Sequence, residues 1–242
     1  MRSAPFVLVH SPLVGPATWR RVAAELEARQ VETVVPSLVE ATRVGRPAWR
    51  AQAEAVADAA ARAGIKHAVV VAHSGAGALL PVVGAALDGV RGYVFVDAGL
   101  PEGGTTRLAT LHPSLRSHLV SLEQDGMLPP WSEWWGTGAL QRLVPDAVAR
   151  EAFVAELEPV PLRVFEETLP EVTGWPDAPC GYLRFSEAYE GEEADAAGRG
   201  WPVAHLRGSH LEMLLQPAAV ASALLQLVGR MGIDEPMRID GN

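Results

Sequence analysis

A chain of 242 residues with 48% apolar and 20% charged side chains fits one large α/β domain, or one domain with an insertion, and is too apolar to remain disordered. Its net charge of −9, with no run of Lys or Arg, argues against nucleic acid and anionic membrane surfaces as partners. Cys180 is the single cysteine, so no disulfide within the chain and no cysteine-based metal site can form, and no stretch approaches the roughly 18 apolar residues that cross a bilayer.

The first third alternates strand and helix signals. The apolar run in "MRSAPFVLVH" is too short for a signal-peptide core, which makes the cytoplasm the expected location, and its "FVLVH" (6–10) reads as a buried strand. "PATWRRVAAELEARQ" (16–30) sets Trp19, Val22 and Leu26 at helical spacing with charges opposite. "VETVVPS" (31–37) is a second strand. "PAWRAQAEAVADAAARAG" (47–64) opens on proline and stops at glycine, as helices do. Lys66, the only lysine, precedes the most apolar strand, "HAVVVAH" (67–73); so arginine-rich a composition is the habit of a GC-rich bacterial genome. "GAGALLPVVGAAL" (75–87) reads as a helix and "RGYVFVDAG" (91–99) as a fourth strand. Repeated strand–helix–strand units with apolar strands imply a mostly parallel sheet covered on both faces, with reactive groups at the carboxyl ends of its strands.

Residues 101–178 break this rhythm. Proline and tryptophan gather there, as in "LPPWSEWWG" (128–136), with helical candidates at 105–125, 138–144, 145–157 and 160–168 and no strand pattern. This segment is read as a helical insertion, with 1–100 and 179–242 forming the core around it. "PCGYLRFSEAY" (179–189) resumes the sheet. A helix (192–200), a last strand "WPVAHLRG" (201–208) and a closing helix (216–232) follow, and the tail "IDEPMRIDGN" is expected to be loose.

Ser74 stands where the third strand bends into a helix. Ala72, Gly75, Ala76 and Gly77 around it are small, as a tight strand-to-helix turn requires, giving a relaxed form of the G-x-S-x-G nucleophile elbow. At that helix N-terminus, N–H groups and the helix dipole favour a developing negative charge, although an ordinary serine cap would look alike. His210, in "LRGSHLEML" after the last strand, falls where the base lies when the chain order is serine, acid, histidine. His205 is expected to point into the fold from within the last strand, and His73, next to Ser74, to face differently along the chain; His10, His112 and His118 have no comparable setting. Two carboxylates compete as the acid. Asp97 ends the fourth strand and is favoured, being short and on a strand expected beside that of the serine, while Glu187 follows the fifth. The N–H of Gly75 and a group from "HSPLVGPATW" (10–19) would form an oxyanion hole. Trp131, Trp134 and Trp135 either line an apolar acyl pocket or glue the insertion to the core. Glu166 and Glu167 are expected in solvent.

Together these residues resemble the α/β-hydrolase superfamily. "HSPLVGPATW" is similar to the first-strand loop of its small plant-esterase and hydroxynitrile-lyase branch, "VAHSGAG" to the elbow and "GSHLEML" to the histidine loop, with 101–178 in the place of the helical cap. The resemblance implies an α/β-hydrolase fold and a serine hydrolase acting on a small ester, thioester or lactone without metal or organic cofactor. Its usual acid position, near Glu187, falls on Tyr189, whereas "FVDAGLP" resembles the alternative placement of haloalkane dehalogenases and some lipases, which again favours Asp97. The usual "HG" reads "HS", and the next residue, a usual oxyanion donor, is Pro12, which has no N–H. Leu13 or the Ser11 hydroxyl would replace it. Hydroxynitrile lyases of the branch use a hydroxyl where Ser11 stands but place a lysine after the histidine, where this chain has Leu211. A cyclising or acyl-transferring enzyme and an inactive ligand-binding member remain alternatives; a homodimer is compatible with the sequence without being called for by it.

Overall fold

The computed structural model describes residues 4–233. Strand β1 (Phe6–Val9) leads to helix α1 (Ala17–Glu27), the short strand β2 (Thr33–Val34), α2 (Val39–Val44) and α3 (Ala48–Arg62). Then come β3 (Ala68–His73), α4 (Leu80–Ala86) and β4 (Val90–Val96). Between β4 and the next sheet strand lie α5 (Arg107–Thr110), α6 (Pro113–Leu122), β5 (Met127–Leu128), α7 (Ala139–Leu143), α8 (Ala147–Val154), β6 (Val160–Pro161) and α9 (Arg163–Glu166). The chain closes with β7 (Cys180–Arg184), α10 (Glu190–Gly198), β8 (Val203–His205), α11 (Glu212–Leu215) and α12 (Pro217–Arg230). The loose tail expected from residue 233 lies, from 234 on, outside the described residues.

Six strands form one parallel sheet in the order β2-β1-β3-β4-β7-β8. Successive side chains of a strand point to opposite faces, and here both faces are apolar. Phe6, Leu8, Val69, Val71, Val94 and Val96 pack with Trp19, Val22 and Leu26 of α1 and Leu224 and Leu227 of α12. Val7, Val9, Val70, Ala72, Tyr93 and Phe95 pack on the other face with Ala53, Val56 and Ala60 of α3 and Leu80 and Val83 of α4. The order reverses between β1 and β3, which opens a crevice at their carboxyl ends.

Three expectations need correction. The helix read over 75–87 begins as a six-residue 3-10 turn, Ser74–Leu79, and becomes α4 only at Leu80. Pro81 explains the break: it has no N–H to give to the carbonyl of Gly77, which instead receives the N–H of Leu80. The region 101–178 holds a strand pair after all, β5 with β6, antiparallel, in the register Leu128–Val160. Finally, α2 lies where no helix was expected, between the second strand and α3.

Glu167 also departs from its expected place in solvent. Its carboxylate accepts the N–H of Ala48 at 2.6 Å and an Arg163 guanidinium N–H at 3.0 Å. Glu156 likewise accepts the N–H of Ala17 at 2.6 Å. Ala48 and Ala17 open α3 and α1, whose preceding residues, Pro47 and Pro16, have no capping side chain. Two glutamates of the inserted segment thus supply the N-terminal carboxylates that two core helices lack.

Candidate active site

Four strand ends deliver the candidate residues to the carboxyl edge of the sheet. Ser74 follows β3 directly. Its backbone takes φ 56°, and Asp97, immediately after β4, takes φ 42°. Among described residues other than glycine, only Gln30 and Asp125 share this left-handed region. Such conformations are strained for side chains with a Cβ, and two of the four fall on the sequence-predicted nucleophile and acid. Since β3 and β4 are paired with His73 opposite Val96, Ser74 and Asp97 leave the sheet side by side. The turn depends on Gly77: a Cβ there would strike the Gly99 carbonyl and lie 3.0 Å from the Cβ of Ala98.

Asp97 is fully buried and all its acceptor capacity is used. One oxygen, Oδ1, accepts the N–H groups of Phe185 and Ser186 at 2.8 and 3.0 Å. The other, Oδ2, accepts the Ser186 hydroxyl at 2.7 Å and Nδ1–H of His210 at 2.8 Å. Burial raises the Asp97 pKa, but the hydrogen bonds from His210 and Ser186 outweigh it and hold the carboxyl below its ordinary value. The carboxylate thereby fixes the His210 tautomer, leaving Nε2 free for a proton from elsewhere.

Two rings position that imidazole. Tyr189 stacks on it with centroids 5.2 Å apart and planes 8° apart, and its hydroxyl stands 3.5 Å from Ser74 Oγ. Tyr189 therefore touches both Ser74 and His210. Burial pushes its phenol up to about 12, so it is neutral at ordinary pH. From below, His73 donates Nε2–H to the His210 carbonyl at 2.9 Å, with ring centroids 4.5 Å apart. The loop carrying His210 is braced by buried Glu212, which accepts the Ser209 N–H at 2.8 Å.

On the other side of Ser74 lies the first-strand loop. Val14 N–H donates to Ser11 O at 3.1 Å, closing a turn with Pro12 inside it, and Leu13 N–H points at Ser11 Oγ at 3.4 Å. A side-chain carbon on Gly75 would sit 3.3 Å from that hydroxyl. Ser11, Leu13 and Gly75 are thus neighbours around the serine. Buried His10 anchors the loop: Nδ1–H donates to Ser11 O at 2.8 Å and Nε2 accepts Leu38 N–H at 3.0 Å. Burial lowers its pKa to about 4, so it is the neutral tautomer that holds the loop.

Other candidates lie elsewhere. Glu187 is exposed in a 3-10 turn, Glu187–Tyr189, that swings Tyr189 rather than the carboxylate toward His210. His205 is exposed at the end of β8, beside Arg184, instead of pointing inward. His73 underlies His210. Trp134 is buried in a small cluster with Leu119, Leu128 and Phe165 and donates Nε1–H to the Pro129 carbonyl at 2.8 Å. Trp135 is 46% exposed and stacks on His118. Trp131 packs edge-on against Phe153 at 6.1 Å. Each of the three thus makes packing contacts. A cleft of about 290 Å³ between α4 and the inserted segment is lined by Ala78, Pro81, Pro101, Leu169, Val172 and Trp175, and by none of Ser74, Asp97 and His210. Among the described residues no cluster of His, Cys, Asp and Glu could hold a metal, and no helix is long and apolar enough to cross a membrane.

Arg107, Tyr189 and Ser186 were missed by the sequence reading. The signal for Tyr189 was present in the tyrosine occupying the usual acid position; Arg107, at the start of a four-residue helix, carries no motif.

A parallel sheet with a strained serine at the end of one strand and, at the end of the next, a buried aspartate bonded to a half-buried histidine is the architecture of an α/β hydrolase. The chain belongs to the alpha/beta hydrolase family, whose model matches residues 6–223. Among solved structures it is similar to an extracellular α/β-hydrolase from a Paenibacillus species, described as sharing structural and functional homology with tobacco salicylic acid binding protein 2. That match has 17% identity and a TM-score of 0.75, over 93% of this chain and 99% of that one. A pyrethroid hydrolase from Sphingobium faniae JZ-2 matches with 20% identity and a TM-score of 0.69, over 93% of this chain and 97% of that one. Tomato methylketone synthase I, in complex with 2-tridecanone, matches with 14% identity and a TM-score of 0.69, over 96% and 100%. A search of the curated proteins found no match.

Proposed function

We propose that the protein is a serine hydrolase that cleaves a small ester, thioester or lactone through an acyl-enzyme on Ser74. The observation carrying this reading is the 2.8 Å contact between His210 Nδ1 and the buried Asp97 carboxylate, next to a serine held at φ 56°. Ser74 Oγ attacks the substrate carbonyl and His210 Nε2 takes its proton; Asp97 stabilises the resulting imidazolium. The tetrahedral oxyanion is held by the N–H of Gly75 and, since Pro12 has none, by the N–H of Leu13 or the Ser11 hydroxyl. His210 then protonates the leaving group, and water releases the acyl group by the same relay in reverse. The inserted segment covers the site as a cap. Leu211, buried beside His210, offers none of the cationic character that a lyase of the resembling branch would need there.

A fluorophosphonate probe tests the nucleophile: wild type is labelled and Ser74→Ala is not. Hydrolysis of short p-nitrophenyl esters is expected to fall at least about a thousandfold in Ser74→Ala and about ten-thousandfold in Asp97→Asn, which leaves the wrong tautomer on His210. Glu187→Gln keeps wild-type rates; a dead Glu187→Gln beside a healthy Asp97→Asn would reverse the assignment of the acid.

A further inference from the structure

Two arginines are buried to the same extent, each 8% exposed, and they are treated differently. Arg184 donates Nε–H to Glu193 at 2.6 Å, so its charge is paired. Arg107 forms no salt bridge among the described residues; its hydrogen bond is from Nη2 to the carbonyl of Gly75. A guanidinium carries five N–H donors in a planar fork suited to a carboxylate, and a neutral carbonyl satisfies one of them. Glu167, the carboxylate with the largest charge effect on it, is already engaged by Arg163 and the Ala48 N–H. Burial draws Arg107 down to about 10, which leaves it a cation at neutral pH.

The place it occupies is specific. Gly75 is the residue after the nucleophile, and a side chain there would collide with Nη2 of Arg107 while lying 3.3 Å from Ser11 Oγ. The guanidinium therefore fills the space of the missing side chain, against the elbow and in the same shell as Ser11. It is held there from behind, over the Phe165 ring at 5.7 Å, by a helix whose first turn is capped by Thr106 and whose approach is pinned by a bridge between Thr106 and Thr168. A buried charge is ordinarily paired, and the unpaired one here lies against the residue that follows Ser74.

We propose that Arg107 receives a carboxylate carried by the substrate itself, and that the substrates are esters with a free carboxylate a few bonds from the scissile carbonyl, such as the hemiesters of short dicarboxylic acids. This rests on the serine-hydrolase reading. The carboxylate exchanges the Gly75 carbonyl for a two-pronged ion pair and sets the ester carbonyl over Ser74 Oγ.

The test compares monomethyl glutarate with methyl hexanoate as substrates of wild type, Arg107→Gln, Arg107→Lys and Arg107→Met, following methanol release. Fluorophosphonate labelling and thermal melting of each variant run beside it. Wild type favours the hemiester. In Arg107→Gln and Arg107→Met the hemiester-to-ester ratio of kcat/KM falls roughly ten- to a hundredfold, mostly through KM, the range expected for lost charge-assisted hydrogen bonds. Arg107→Lys recovers part of the ratio. Arg107→Met, which keeps the packing on Phe165, serves if the glutamine variant does not fold. Equal losses on both substrates with labelling intact would overturn the carboxylate site and make Arg107 an oxyanion donor or a brace, leaving the hydrolase reading standing. Absence of Ser74 labelling in folded wild type would overturn both.

Discussion

In the sheet, all six residues of β3 are buried, and each face meets a continuous apolar layer. In the segment between β4 and β7, Leu119, Leu128, Trp134 and Phe165 form a small cluster of their own, while Val144, Ala149, Phe153 and Leu157 join the apolar layer on one face of the sheet. Three of its five helices end after four or five residues, and much of the segment's order comes from single polar contacts: Asp146 capping α8, His118 on the Trp134 carbonyl, Glu156 and Glu167 reaching back to α1 and α3. One region is specified by pattern, the other by individual side chains. The first should fail abruptly when its spacing is disturbed, and the second by increments.

The sharpest contrast uses one residue type in both regions. Gly77→Ala forces a Cβ into the Gly99 carbonyl and against Ala98, contacts no side-chain rotation relieves. It is expected to cost more than about 3 kcal/mol and to yield little folded protein. Gly136, in the insertion, meets nothing within 4 Å; only its φ of 75° resists substitution, and Gly136→Ala should cost about 1 kcal/mol. Chemical denaturation of the two variants measures both. Similar losses would mean that the insertion is as tightly specified as the sheet.

Acid separates the regions next. Folded His10 takes up its proton only near pH 4, whereas in the unfolded chain it does so near its ordinary 6.5. Its contribution to stability is therefore fully present above about 6.5 and is lost as pH falls from there through 4, by up to about 3 kcal/mol. His73, with Nδ1 unpartnered and its pKa well below the ordinary value, adds to the same trend. Asp97, held below its ordinary value, extends the loss to still lower pH. Denaturant midpoints from pH 7 to 4 should fall in wild type and fall less steeply in His10→Asn. An unchanged slope in that variant would place the acid sensitivity elsewhere.

This division also describes what could be read without coordinates. The sheet strands and α1 announce themselves because period 2 and period 3.6 are local properties of the chain. That Ser74, Asp97 and His210 would gather at one edge of the sheet was legible because a turn of small residues and two strand ends constrain where such side chains can sit. Helix α2 was not: six residues with one buried position, Thr42, form a helix because α3 packs beside it and Gln52 donates to Thr42 Oγ1 at 2.8 Å. The pairing of β5 with β6 joins two-residue strands more than thirty positions apart, too short for any alternation to show. Glu167 looked solvated and Arg107 unremarkable because Ala48 and Gly75, which they reach, come from distant sequence.

Cutting the ties between the regions should produce smaller losses. Glu156→Ala and Glu167→Ala each remove a carboxylate from a helix N-terminus whose own preceding residue is proline, at an expected cost of about 1 kcal/mol apiece. The two sites act on different helices, so the double variant should show nearly the sum. Amide exchange should quicken at the first turns of α1 and α3 before it changes in β3. Uniform acceleration across the sheet would show that the two carboxylates stabilise the whole core rather than the two helix ends.

The smallest effect expected is a gain. Ser74 and Asp125 both hold left-handed backbone, at φ 56° and 52°, one at the end of a core strand and the other in an insertion turn. Aspartate tolerates that conformation through local hydrogen bonding better than serine does, and Asp125 is exposed and free to adapt. Glycine at position 74 relieves the strain at the expense of a floppier unfolded chain, so Ser74→Gly should raise stability by about 0.5–1 kcal/mol while abolishing fluorophosphonate labelling; Asp125→Gly should gain less and keep it. Ser74→Ala, which retains a Cβ, should lose labelling with no gain. That ordering, read from melting temperatures of three variants, would locate the stored strain at Ser74. Equal gains at 74 and 125 would instead make the left-handed serine an ordinary turn residue, and its conformation would no longer argue for catalysis.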